Sequence, residues 1–239
     1  MILFLKILLA HILGDFVFQP QKWVKDKEKD KIKSPKLYIH IGVHFALLLL
    51  IFQFDFYYWK AILFITITHF IIDISKLYLH NKNNKITFFF IDQALHILMI
   101  LIALIFYNSI DYNFNGLFLN QVLLLLVCIL FLMFASSIII KMIITQWNPE
   151  KDNKGDKSLA KAGQFIGILE RLFIFIFIIT NHWEAIGFLL AAKSVFRFGD
   201  LSSSKDRKLT EYILIGTLLS FGFAIFTGLF YQYIISFLY

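Results

Sequence analysis

Four pairs of histidine and aspartate residues, each spaced four positions apart, are the residues of this sequence best suited to chemistry. They are His11 with Asp15, His40 with His44, His69 with Asp73, and Asp92 with His96. Residues four apart on a helix share one face, so each pair can direct two ligand atoms at one point. Imidazole and carboxylate donors without sulfur favour zinc, manganese or iron. The pattern therefore predicts a metal site.

The composition predicts that this site lies in a membrane. Of the 239 residues, 59% are hydrophobic and 16% are charged, and the mean hydropathy is +0.74. Several apolar runs reach the length of about 20 residues that a helix needs to cross a bilayer. The expected fold class is thus an all-α integral membrane protein. Ionisable residues inside a membrane span are costly and mark functional sites.

The apolar runs predict about eight transmembrane helices, which would form one membrane domain with two halves. Residues 1–110 carry the His/Asp pairs, and residues 111–239 form a second four-helix half. All three prolines fall outside the predicted spans or at their ends, which favours straight, unbroken helices. The predicted helices cover about 2–19, 36–54, 58–80, 86–107, 117–145, 162–181, 183–199 and 209–237.

The distribution of lysine and arginine predicts the orientation of these helices. The loops after the first, third, fifth and seventh helices are rich in Lys and Arg, and the alternate loops are nearly empty. The positive-inside rule places the rich loops in the cytoplasm and both termini outside. All four His/Asp pairs then share one layer in the cytoplasmic half of the membrane. Because the cations are spread over short loops, the net charge of +7 does not indicate nucleic-acid binding.

A second group of charged residues lies in the C-terminal half. Glu170 and Arg171 are in the sixth predicted helix, and Lys193 and Arg197 share a face of the seventh. One interpretation is ion pairing of Glu170 with Lys193 or Arg197. The other is that Arg171, Lys193 and Arg197 bind the phosphate or another anionic head group of a substrate, with Glu170 as an additional acid–base candidate.

The number of candidate ligands bounds the metal content. Five imidazoles and three carboxylates suit two metal ions, or one ion with outer-shell carboxylates, and zinc is the first choice, with manganese or iron as alternatives. The single cysteine, Cys128, lies in an apolar run and excludes disulfides and thiolate clusters. A competing interpretation is that the polar pairs only link helices together, as polar side chains in membranes do.

Six segments carry a family resemblance. In the first half they read H-I-L-G-D-F-x-x-Q, T-H-F-x-I-D and D-Q-x-x-H, and in the second half G-x-x-I-G-I-L-E-R, A-I-G-F-L-x-A-A-K-S-x-x-R-F and E-Y-x-L-I-G-T-L-L-S. They resemble a bacterial family of integral membrane proteins classed as a domain of unknown function, over nearly the whole chain. The resemblance implies a shared site and names no reaction. The His/Asp pattern is also loosely similar to that of membrane-bound metal-dependent hydrolases.

The leading hypothesis is a metal-dependent hydrolase of the bacterial inner membrane, acting from the cytoplasmic side on a lipid-borne ester, amide or phosphoester. One carboxylate would serve as general base, and the candidates are Asp15, Asp73, Asp92 and Glu170. One rival is a metal-ion or proton transporter, which predicts ligands strung across the bilayer. Another is a non-catalytic, metal-stabilised partner or sensor of a neighbouring protein. The sequence leaves the oligomeric state open.

Overall fold

The computed structural model describes residues 2–81, 84–107, 117–147, 157–195 and 204–237, and within them every regular element is helical. Two short π-helical segments, Leu13–Val17 and Phe131–Ala135, interrupt the α-helices. The α-helices of these residues are α1 (Ile2–Ile12), α2 (Gln21–Asp30), α3 (Pro35–Ile51), α4 (Trp59–Leu79), α5 (Lys85–Ile105), α6 (Leu117–Leu130), α7 (Ser136–Ile144), α8 (Lys157–Ile179), α9 (Trp183–Val195) and α10 (Ser204–Ser236).

Length and hydropathy confirm a multi-pass helical membrane protein. Five helices of the described residues are long and apolar enough to cross a bilayer. A sixth span is counted if the bent pair Ile2–Val17 and Gln21–Lys33 is one crossing, and α3 is apolar but shorter. The five are Phe56–Leu79, Lys85–Ile105, Asn120–Ile144, Ala162–Ile179 and Glu211–Ser236.

The first connection differs from its prediction. The sequence predicts a loop over residues 20–35, whereas residues Gln21–Asp30 form α2. Pro20 precedes this helix in an extended conformation, with φ −62° and ψ 146°, and the chain bends by 84° between the two helices. Pro starts a helix well because its φ is already helical and its missing N–H is not needed there. The bend thus falls at the predicted end of the first helix, and the difference from the prediction is a second helix in place of a loop.

The contacts divide the chain into two compact units, Met1–Val127 and Cys128–Tyr239. The apolar core of the first unit is built by α1, α3, α4 and α5, and all of its buried members are aliphatic or aromatic. They are Ile7, Ala10, Leu48, Phe52, Ala61, Ile62, Ile65, Ile100, Ala103 and Tyr107.

Short polar contacts fix the ends of the helices in the first unit. The Ser34 hydroxyl accepts a hydrogen bond from the Lys36 backbone N–H at 3.2 Å and caps α3, with Pro35 in its first turn. The Tyr107 hydroxyl accepts from the Ala61 N–H and donates to the Tyr57 carbonyl, each at 3.2 Å. The two hydrogen bonds of Tyr107 connect the end of α5 to the start of α4.

Close packing of α8 against α10 organises the second unit. Ile174, Phe175 and Ile178 of α8 are fully buried. A Cβ atom placed on Gly228 of α10 would come within 2.9 Å of Ile178 Cδ1, so the absence of a side chain there allows the two helices to approach. Small residues play this role in many membrane helix pairs.

Candidate metal centre

Four of the predicted ligands converge on one point of the first unit. Asp15 comes from the π-helical segment after α1, His40 and His44 from successive turns of α3, and His69 from α4. Asp15 Oδ1 lies 2.9 Å from His44 Nε2, 3.3 Å from His40 Nε2 and 3.4 Å from His69 Nε2. The Nε2 atoms of His40 and His69 are 3.1 Å apart. All three imidazoles are buried.

These separations fit ligands of a shared metal ion. Donor atoms at about 2.0–2.2 Å from a tetrahedral zinc ion are about 3.3–3.5 Å from one another. Direct N–H···O hydrogen bonds span about 2.7–3.2 Å, so only the His44–Asp15 contact, at 2.9 Å, falls in that range. Three imidazole nitrogens around one carboxylate oxygen therefore match the geometry of a cation site better than that of three hydrogen bonds.

Gly14 allows the α1 segment to approach the cluster closely. A Cβ atom at this position would overlap the imidazole ring of His44. Gly14 is buried within the π-helical segment, next to Asp15. Such segments often occur at functional sites, because the extra residue in the turn alters the direction of its side chains. The glycine and the π-helical turn together place the Asp15 carboxylate beside α3.

His96 lies next to this group with a free nitrogen. Its Nδ1 donates to the Asp92 backbone carbonyl at 2.8 Å, which leaves Nε2 as the unprotonated nitrogen of the neutral ring. Nε2 is buried and has no hydrogen-bond partner among the described residues. His69, Asp73 and His96 can each offer a ligand atom within 4.8 Å of the others. The His96 nitrogen is thus oriented as a metal ligand requires.

The other two predicted aspartates contact lysines. Lys27 Nζ of α2 lies 2.8 Å from Asp73 Oδ2, and Lys76 Nζ of α4 lies 2.6 Å from Asp92 Oδ2. The Asp73 oxygen is also 3.6 Å from His40 Nε2, at the edge of the four-ligand group. Asp73 and Asp92 therefore border the site while forming ion pairs.

Gln93 connects the predicted ligands to one another. Its Nε2 donates to Asp15 Oδ2 at 3.3 Å and to Asp92 Oδ2 at 3.1 Å, and its Oε1 lies 3.3 Å from His11 Nε2. His11 itself is buried, with its ring stacked 5.1 Å from that of His96. Gln93 thus fixes the orientation of Asp15 and links His11 to the cluster, as outer-shell groups of metal sites do.

Replacing Gln93 with leucine should weaken metal binding without unfolding the protein. The Asp15 carboxylate would lose the donor that orients it, and changes of this kind cost about 10–100-fold in metal affinity. Competition with a chelator of known affinity measures the change. Gln21→Leu, at an exposed position of α2, is the control and should leave the affinity unchanged. Equal affinities in the two variants would contradict the orienting role.

A small cavity lies on the apolar side of the imidazoles. Its volume is about 10 Å³, close to the minimum that one water molecule needs. The cavity is lined by four histidines together with side chains that are mostly apolar. They are His11, His44, His69 and His96, with Ile7, Ala10, Leu48, Ile65, Thr68, Met99 and Ile100. The cluster therefore directly borders the hydrophobic core.

The predicted charged group of the second unit separates, within the described residues, into an ion pair and a hydrogen-bonded arginine. Lys193 Nζ lies 2.6 Å from Glu170 Oε2, in agreement with the ion-pair interpretation. Arg171 is buried and donates to the Leu132 carbonyl at 2.8 Å, to Ser220 Oγ at 3.0 Å and to Ser137 Oγ at 2.5 Å. Arg197, the third predicted head-group ligand, lies outside the described residues.

Arg171 links three helical segments of the second unit through acceptors that carry no charge, so its planar fork should matter for stability. Lysine keeps the charge but cannot reach three separate acceptors. We expect Arg171→Lys to lower the free energy of unfolding by about 1–3 kcal/mol, the range for lost hydrogen bonds of a charged group. Thermal unfolding in detergent measures this against Lys141→Arg at an exposed position of α7. Equal stability of the two variants would contradict this role.

Sequence reasoning missed Lys27, Lys76 and Gln93. Lys76 follows Asp73 by three positions on the same helix, and Gln93 is adjacent to Asp92, so helical spacing alone could have added both to the cluster. Lys27 had no such signal, because lysines and acidic residues alternate throughout residues 25–31. Only the bend before α2 brings that side chain to Asp73.

The comparisons with known proteins identify a family. A family described as "Protein of unknown function (DUF3307)" matches residues 3–126, just over half of the chain, and this range contains all eight predicted ligands. The three second-half segments of the resemblance lie beyond it. No curated protein and no solved structure matches the chain. This protein is therefore a member of the DUF3307 family.

Proposed function

We propose that this protein is a metal-dependent hydrolase that acts on a lipid-borne ester, amide or phosphoester. The supporting observation is the convergence of Asp15, His40, His44 and His69. Asp15 Oδ1 lies 2.9–3.4 Å from the Nε2 atoms of the three histidines, and the Nε2 atoms of His40 and His69 are 3.1 Å apart. A divalent ion such as zinc, manganese or iron bound there would supply an activated water molecule and polarise the scissile group.

The surrounding side chains have distinct roles in this proposal. Asp15 and the three imidazoles hold the ion, and Gln93 orients Asp15. Asp73 is the carboxylate that this proposal assigns as proton acceptor, because its Oδ2 lies 3.6 Å from His40 Nε2, next to the ligand group but outside it. The same oxygen also contacts Lys27 Nζ at 2.8 Å. Glu170 is paired with Lys193 in the second unit, and this proposal gives it no step.

An apolar groove beside the ligand helices supports a lipid substrate. It has a volume of about 280 Å³ and opens on the surface between the start of α2 and α3. Val43 of the groove directly precedes His44 in α3. An acyl chain in the groove would place its head-group linkage near the cluster. Its lining residues are Phe18, Trp23, Val43, Ala46, Leu47 and Leu50.

We place the enzyme in the bacterial inner membrane with eight crossings and both termini outside. The apolar helix α3 and helix α9 would complete the crossings, in addition to the five long helices and the α1 segment. The lysine-rich segment around α2 would then lie at the cytoplasmic surface. This orientation gives a substrate access to the cluster from the cytoplasmic side.

The test combines metal analysis with a hydrolysis assay. The full chain is purified in detergent without chelator and analysed for transition metals, then incubated with a lipid extract of bacterial inner membranes. We expect at least one ion per chain and new lipid products by mass spectrometry, which disappear on chelation and return with zinc. Less than one ion per chain would overturn the proposal. Bound metal without any metal-dependent product would exclude hydrolysis of these lipids.

Transport of metal ions is the second candidate, and the broken first helix favours it. The 84° bend and the π-helical turn that carries Asp15 resemble the interrupted helices that form ion sites in transporters. In the described residues, however, the two candidate ligand groups share His69 and so form one cluster. Zinc uptake into proteoliposomes distinguishes the two: flux that His44→Ala abolishes would favour the transporter.

A further inference from the structure

Two lysines contact carboxylates that could otherwise bind a second metal ion. Lys27 and Lys76 form short ion pairs with Asp73 and Asp92, at 2.8 and 2.6 Å. Lys27 is 5% exposed, and the Lys76 side chain is 31% exposed. Buried lysines are rare in proteins and normally require a charged partner. Both partners here are carboxylates that border the four-ligand group.

The charge balance of the cluster distinguishes one ion from two. Asp15, Asp73 and Asp92 contribute three negative charges and the two lysines two positive ones, while metal-binding imidazoles are neutral. The sum is −1. One divalent ion brings it to +1, which a bound hydroxide would cancel. Two divalent ions bring it to +3, and uncompensated charge in a buried site is unfavourable.

Resting on the proposed metal centre, we propose that Lys27 and Lys76 replace a second metal ion, so that the site binds a single one. Their ammonium groups neutralise Asp73 and Asp92 and hold these carboxylates out of coordination. Asp15, His40, His44 and His69 remain as the ligands of the single ion.

Removal of the two lysines would free a second candidate position for a metal ion. Asp73 and His96 can bring ligand atoms within 4.8 Å of each other and of His69, a residue that both candidate ligand groups share. The buried His96 Nε2 has no other partner in the described part of the chain. The Lys27–Asp73 contact occupies the carboxylate of this group. Loss of both lysines leaves three carboxylates with no lysine partner and a total charge of −3. Two divalent ions would bring this charge to +1, the same value that one ion gives in the native protein.

The experiment measures zinc stoichiometry at tenfold molar excess, after removal of loosely bound metal, by mass spectrometry of the full chain in detergent. We expect one ion in the wild-type protein, two in Lys27→Met/Lys76→Met, and one in the quadruple variant that also carries Asp73→Asn and Asp92→Asn. The quadruple variant removes the same lysines but restores the charge of −1. Lys29→Met, at an exposed position of α2, is the surface control and should bind one.

The outcomes distinguish failure of the single-ion inference from failure of the proposed metal centre. Two ions in the wild-type protein would overturn the inference and leave the proposed hydrolase intact. One ion in a folded double-lysine variant would also overturn it. If that variant does not fold, the wild-type titration and the Lys76→Met variant, which changes only the more exposed lysine, decide the question. No ion in the wild-type protein would overturn the proposed function together with the inference.

Discussion

Replacing His44 with alanine should remove the bound metal almost completely. His44 Nε2 makes the shortest contact to Asp15 in the group, and its ring packs 3.8 Å from that of His69, so its loss removes one ligand and the support of another. Losing one of four ligands from a tetrahedral site should lower zinc affinity by at least about 100-fold, more than an outer-shell change does. We expect the purified variant to contain less than a tenth of the wild-type metal.

The matched control for this variant is His182→Ala. His182 lies in the turn between α8 and α9 with its side chain 64% exposed, and its imidazole contacts only Glu184 among the described residues. It should retain the full metal content and thermal stability of the wild-type protein. A His44→Ala protein with wild-type metal content would show that the four-residue group is not the metal site.

Adding one methyl group at Gly14 should be nearly as damaging. The new Cβ would occupy the space of the His44 imidazole, so either that ring leaves the cluster or the π-helical turn moves away from α3. Overpacking of this kind costs about 1–3 kcal/mol. We expect Gly14→Ala to lower both the unfolding temperature and the bound metal, as measured by thermal unfolding with and without zinc.

Gly42→Ala provides the comparison within α3. A Cβ atom at Gly42 would meet nothing within 4 Å, and the residue is exposed in the middle of the helix. Alanine favours a helix over glycine by about 0.5–1 kcal/mol, so this variant should be slightly more stable and keep its metal. If the two variants changed stability in the same direction, the close approach of Gly14 to His44 would be excluded.

The sequence predicted the helical membrane class and the residues of the cluster for clear physical reasons. Apolar runs of bilayer length leave helices as the only way to satisfy the backbone. The spacing of four placed His40 and His44 on one face of α3, and both side chains are buried. The same spacing applied to Asp92 and His96, yet Asp92 faces Lys76, because a spacing rule describes one helix and says nothing about its neighbours.

Two features depended on backbone changes that the spacing of the His/Asp pairs does not predict. The π-helical turn Leu13–Val17 carries Asp15, whose carboxylate lies 2.9 Å from His44 Nε2 on α3 and 3.9 Å from His11 Nδ1 on the preceding helix. The bend before α2 turned a presumed loop lysine into a buried one. In both cases tertiary packing decided the position of the side chain.

The small cavity beside the imidazoles implies that the cluster has two unlike sides. On the side of Leu48, Ile65 and Ile100 there is space for a single solvent molecule and nothing larger. In the proposed hydrolase, a bulkier reactant would therefore arrive from the side of Lys27 and Lys76, where Asp15 and Gln93 are partly exposed. Small probes such as cyanide or azide could occupy the inner side without competing for the outer one. Inhibition by a small anion and by a substrate-sized molecule would then be additive rather than exclusive.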